Sequence, residues 1–134
     1  MTMFRTLCDL VVLYRADTVD IYHIWCDLKP SIKDTDFTDA ASQYLVHIKQ
    51  SGKLQDFRIT RRKLGFGAPG LGEFHLQLEF EGLAQFDAAF EQVSTREDPV
   101  ESFHHGVNSK VSNVQFALYP DFPDSHRKSG DEKF

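Results

Sequence analysis

His23, His75, His104 and His105 are the side chains of this sequence best suited to move a proton. Imidazole changes charge between pH 5 and 8 without help from its surroundings. Asp27, Glu73 and Glu79 fall close enough in the strand pattern to orient such a histidine. Arg58 and Arg62 could grip a carboxylate or phosphate with two guanidinium forks, or pair with Glu73 or Glu79 across strands. Trp25 and Tyr119 could stack on a planar molecule, and Gln77 could hydrogen-bond to it. Metal binding would need ligands at close spacing, and no H-x-H, H-E-x-x-H or paired Cys/His motif occurs. No metal and no cofactor is therefore expected. Spacing supports no Ser-His-Asp or Cys-His nucleophile.

Positioning these groups requires strands that alternate. Ile21–Leu28, Phe57–Leu64, Glu73–Phe80 and Val114–Tyr119 each do so. One set of faces reads Tyr22/Ile24/Cys26/Leu28, Phe57/Ile59, Phe74/Leu76/Leu78/Phe80 and Val114/Phe116/Leu118. The opposite set reads His23/Trp25/Asp27, Arg58/Thr60/Arg62, Glu73/His75/Gln77/Glu79 and Gln115/Ala117/Tyr119. Successive strand residues point to opposite sides, so one sheet would be apolar on one face and chemically rich on the other. Between the strands, Phe37, Ala40, Ala41, Tyr44, Leu45 and Ile48 follow helical spacing, with capping candidates at Asp34–Asp36 and Gly52 behind. Leu83, Phe86, Phe90 and Val93 mark a second helix. Asp98-Pro99-Val100-Glu101 opens a short third one, and His104–Lys110 would join it to the last strand, Val111–Tyr119, with Gly106 or Asn108 as its C-cap.

Gly65-Phe66-Gly67-Ala68-Pro69-Gly70 formally matches G-x-G-x-x-G. A dinucleotide site needs that loop to enter a helix, whereas here a strand follows. It reads instead as a hairpin connection that could act as a flap.

Bulk properties exclude several classes. With 134 residues the chain makes one domain with a real core. Its net charge of −5 argues against nucleic acid as a partner. Leu7–Tyr14 is apolar but interrupted by Asp9, and too short for the roughly 20 residues that cross a bilayer, so no membrane association is expected. Cys8 and Cys26 share no redox spacing, and a buried free thiol suits a reducing, cytoplasmic setting. Residues 1–19 read as an N-terminal extension, or sequence upstream of a misplaced start, and residues 20–120 as the domain. Residues 121–134, just after Pro120, read as a tail with Pro123, Gly130 and many charges.

The element order is β-α-β-β-α(α)-β, an α+β ferredoxin-like sandwich on one antiparallel sheet. Right-handed crossovers order its strands 4-1-3-2, with His23, Trp25 and His75 side by side on the two central ones. An uncovered face carrying Trp25 and Tyr119 calls for a partner, of which a second copy is the simplest.

The segments IYHIWCDLKP (21–30), RITRRKLG (58–65), LGEFH (71–75) and HHGVNSK (104–110) resemble an uncharacterised bacterial family of small proteins. That family is grouped with the dimeric α/β-barrel superfamily of ferredoxin-like domains. The resemblance covers about residues 20–123 and implies a homodimer whose two sheets face each other around a barrel-like cavity. Superfamily members include cofactor-free monooxygenases, haem-degrading enzymes, muconolactone isomerases and stress-responsive proteins. No one group's catalytic pattern is matched, so no residue role carries over.

Three functional expectations follow. In the first, the face encloses a polar cavity for a small, acidic or aromatic ligand. His23, Trp25, Asp27, Arg58, Arg62, His75, Gln77 and Tyr119 would line it, with His104 and His105 near the mouth. In the second, the same face is the interface of a structural or stress-associated dimer without chemistry. The third, cofactor-free oxygenation of an electron-rich aromatic, is an analogy from fold.

Overall fold

The computed structural model describes residues 19–123. Its elements are β1 (Asp20–Leu28), α1 (Asp34–Gln50), β2 (Asp56–Arg61), β3 (Phe74–Phe80), α2 (Leu83–Ser94), α3 (Val100–Asn108) and β4 (Val111–Pro120). The four strands form one antiparallel sheet in the order β2-β3-β1-β4, the expected interleaving, and the fold is α+β and ferredoxin-like. The extension and the tail lie outside the described residues, apart from Val19 and residues 121–123.

Local chemistry explains the helices. Phe37, Ala41, Leu45 and Ile48 recur on one face of α1 and are buried against the sheet. The helix stops where Gly52 takes the left-handed conformation at φ 76°, letting the Lys53 N–H reach back to the Ile48 carbonyl. Asp34 and Asp36 fall inside its first turn, so Lys33 occupies the N-cap, and Arg61 donates to the Asp34 carboxylate at 2.8 Å. Asp98 accepts the Ser102 N–H at 3.1 Å and so closes the first turn of α3.

β3 alternates perfectly between buried and half-buried residues, with Phe74, Leu76, Leu78 and Phe80 under the helices. Together with Cys26, Leu54, Ala89 and Val100 they form the core. Coverage is uneven: Phe116 is 60% and Leu118 40% exposed, so the helical layer leaves the inner side of β4 partly bare.

Two boundaries differ from the sequence expectation, and one strand carries a bulge that alternation does not show. β2 ends at Arg61 rather than Leu64, because Leu64 and Gly65 take positive φ and turn the chain away. β4 begins at Val111, as expected, and carries a bulge opposite Trp25–Asp27. Asn113, at φ 50°, accommodates the extra residue, so Val111 and Val114 both pack inward. The segment carrying His104 and His105 is not a connection: α3 continues through both to Asn108.

Candidate functional site

The open face is an array of cross-strand rows. Arg58, Gln77, His23 and Ala117 lie opposite one another in one row, and Thr60, His75, Trp25 and Gln115 in the next. The diagonal pair His23 and His75 closes with a hydrogen bond, Nδ1 to Nε2, at 2.9 Å. Their ring centroids are 5.1 Å apart and their planes 22° from parallel. That centroid distance exceeds the nitrogen separation by about two ring radii, so the imidazoles meet edge to edge in nearly one plane. One nitrogen donates and the other accepts. Nitrogens that face each other in this way do not converge on a third point where an ion could sit.

Trp25 lies parallel to His75 at 4.6 Å and to His23 at 5.5 Å, while Tyr119 meets His23 edge-on at 5.2 Å. Burial lowers the pKa of both histidines, and for His75 the neighbouring His23 adds to it, which favours a neutral pair. His23, Trp25, His75 and Gln77 are half-buried although no described element of the chain covers them, and Tyr119 is 60% exposed.

Asp27 has a different duty. Its carboxylate accepts the Glu73 N–H at 2.9 Å and the Asn113 amide at 3.0 Å, and Asn113 also donates to the Gly70 carbonyl at 3.3 Å. It ties the start of β3, the bulge of β4 and the β2–β3 loop together. The Asn113 bond, the Glu73 N–H and nearby Arg62, in that order, hold its carboxyl below the usual range. Gly72 fixes the same corner: a Cβ there would stand 2.4–2.6 Å from the Cys26 backbone.

The arginines separate. Arg58 stays on the face beside Gln77, in no ion pair among the described residues. Arg62 lies past the end of β2, its stem against Gly67 and its guanidinium 3.4 Å from the Leu71 carbonyl. Glu73 pairs with Arg61 instead, at 3.4 Å. The two forks expected to act together are thus divided by the end of the strand.

His104 packs edge-on against Tyr44 of α1 at 5.8 Å, in the helical layer, and His105 beside it on α3 is exposed. Neither belongs with His23 and His75. His104 instead borders a feature that the alternation pattern did not reveal: a cavity of about 260 Å³ between helices and sheet. Tyr22, Ile24, Cys26, Leu76 and Leu78 form its floor, and Ala41, Leu45, Ala89, Val93 and Val107 its roof. Phe90 and Phe116, its exposed apolar lining residues, mark a side on which it opens, and Asn108 at its rim is exposed as well. Its polar groups are few: the Tyr22 and Tyr44 hydroxyls, His104, Asn108 and the Cys26 thiol. Burial, with Glu101 nearby, pushes the Tyr44 hydroxyl up to about 12, and burial pushes the Cys26 thiol to about 11. Both stay protonated at neutral pH, so Tyr44 can donate a hydrogen bond and Cys26 is inert. One sequence signal did point here. Ala41 and Ala89 hold inward helical positions where larger side chains would fill the space.

Residues 19–134 match the family model described as a family of unknown function, DUF6614. The chain belongs to that family. No functionally curated protein matches it. Its fold is similar to that of SnoaB, a cofactor-independent oxygenase from Streptomyces nogalater, with a TM-score of 0.60 at 7% identity, over 84% of this chain and 100% of that one. A dimeric ferredoxin-like protein of unknown function from Jannaschia sp. is similar with a TM-score of 0.57 at 8% identity, over 75% and 97%. Hydroxynitrile lyase from Passiflora edulis is similar with a TM-score of 0.55 at 11% identity, over 78% and 94%. At these identities the likeness is one of fold. Among the described residues no helix is long and apolar enough to cross a membrane, and no three metal-ligating side chains converge.

Proposed function

We propose that the protein is a homodimer whose protomers each bind a small, mainly aromatic molecule in the cavity between sheet and helices, with the open faces of the two sheets forming the dimer interface. The observation that carries the ligand site is the cavity itself. It opens to one side beside Phe90 and Phe116, which gives a guest a way in, and its apolar lining is surface that a guest would remove from water. Its walls are nearly all carbon, whereas a buried water wants roughly two to four polar partners. An apolar cavity of about 150 Å³ already accepts benzene, so this one has room for one or two fused rings. Tyr44, His104 and Asn108 offer one hydrogen-bonding corner, which fits a ligand carrying a single hydroxyl or carbonyl.

The interface reading rests on the half-buried ring cluster of His23, Trp25 and His75 and on the dimeric neighbours of the same fold. It moves the small-ligand role from the polar face to the apolar one. The buried, free Cys26 supports a reducing, cytoplasmic setting. Titrating the purified protein with 1-naphthol by calorimetry tests the ligand site. One equivalent per protomer, lost when Ala89 becomes Leu, is expected; no heat at millimolar naphthol would refute it.

A second reading, cofactor-independent oxygenation of an electron-rich aromatic, is favoured by the likeness to SnoaB together with the apolar cavity. Oxygen uptake with hydroquinone-type substrates tests it, and a flat trace would remove it.

A further inference from the structure

We propose that protons on the His23–His75 pair set the strength of the homodimer, so that two copies part on mild acidification while each protomer stays folded. This rests on the reading of the open face as the dimer interface and adds a control to it. The pair sits on the two central strands, β1 and β3, between Trp25 and Tyr119. Its hydrogen bond needs one lone pair and one N–H, so the neutral pair satisfies both facing nitrogens without outside help. A second copy laid over the face would withdraw the four imidazoles of the dimer from water. Each added proton would then be a charge in a poorly hydrated layer, and a doubly protonated pair would lose its hydrogen bond altogether.

The groups facing the pair do little to offset such charge. On β2, Arg58 adds another positive group, and Asp56 is held by Lys49 at 3.3 Å. On β1, Asp27 is occupied by Asn113 and the Glu73 N–H. On β3, Glu73 is taken by Arg61, and Glu79, opposite Ile21, lies diagonal to His23 on the side away from His75, in no ion pair among the described residues. On β4, the row-mates are Ala117 and Gln115, and Tyr119 is the one titratable neighbour. Since burial already lowers both imidazoles in the single chain, a covering copy lowers them further. The neutral pair's contribution is therefore complete at the ordinary imidazole value of about 6.5 and above, and it is lost as the pH falls through the separated protomer's own values, which lie below that. One extra proton per protomer on separation makes two per dimer, which raises Kd by up to about 100-fold per pH unit.

Sedimentation velocity of the full chain at pH 7.5 and pH 5.0, with far-UV circular dichroism to confirm folding, tests the inference. Dimer Kd is expected to rise at least about tenfold at pH 5.0 with the dichroism unchanged. In the double variant His23→Gln/His75→Gln, which carries amides in place of both titrating rings, Kd should change less than about threefold over the same range. A dimer whose Kd is flat with pH overturns the inference and leaves the interface standing. A slope that survives in the double variant also overturns it, because other groups then supply the protons. A monomer at pH 7.5 overturns the interface reading itself. Should the double variant fail to fold, imidazole proton resonances of the unaltered protein must titrate in step with dissociation, and resonances that titrate without it would refute the coupling.

Discussion

The two faces of this sheet obey the same alternation and solve opposite problems. Beneath the helices, Phe74, Leu76, Leu78 and Phe80 lie buried, yet the packing stops short around Ala41 and Ala89 and leaves room for a guest. On the open side the side chains are polar and aromatic, yet they interlock: two imidazoles share a hydrogen bond, an indole lies parallel to both, and Asp27 anchors the margin. Apolar composition has produced a void, and polar composition a self-satisfied surface. A binding site is marked by unfilled space, and reactive residue types alone do not mark one.

That contrast can be broken at several points. The largest effect is expected where the open face is clamped at its margin. Gly72→Ala would drive a Cβ into the Cys26 backbone and should destabilise the chain by about 3 kcal/mol or more, read by urea denaturation. A neutral result would mean that this corner is loosely held. Asp27→Asn should cost about 2 kcal/mol at neutral pH, since an amide cannot accept both N–H donors as a carboxylate does. Because the Asp27 carboxyl titrates lower in the folded chain, its contribution is present above the unfolded value of about 3.9 and is lost as the pH falls below it. Wild type and variant should therefore converge in stability near pH 2.5.

On the covered face, Ala89→Leu should weaken 1-naphthol binding at least about tenfold by occupying the cavity, and the ligand-free melting temperature should hold or rise. A fall in melting temperature with binding intact would show that the space is not where the ligand sits. The smallest effect belongs to the flap. Phe66 is 82% exposed, so Phe66→Ser should change stability by less than about 0.5 kcal/mol and leave naphthol affinity alone. A clear loss of dimer in that variant would extend the interface onto the β2–β3 loop.

The sequence carried a good deal of this directly. Element types, the strand order and the membership of both faces follow from spacing two and spacing 3.6, because those periods are fixed by backbone geometry wherever one side must be dry. The proximity of His23, Trp25 and His75 was legible for the same reason, once the crossovers placed β1 beside β3. Where the chain departs from a period, the reading fails. Arg62 left the face because positive φ at Leu64 and Gly65 ended the strand early. His104 left the expected site because α3 lies in the helical layer and holds it against Tyr44, and Asp27 became a tether because a bulge put Asn113 within its reach.

Sequence by itself thus determined a ferredoxin-like sheet with one apolar and one polar face, and which residues share each as far as the strands run. Tertiary structure alone decided that the histidines satisfy each other, that the arginines part, and that the unfilled volume lies under the helices. Periodicity is a local property of the backbone and survives in one dimension. Hydrogen-bond partners, and space left between side chains, depend on distances between segments about fifty residues apart, and only the folded chain sets those.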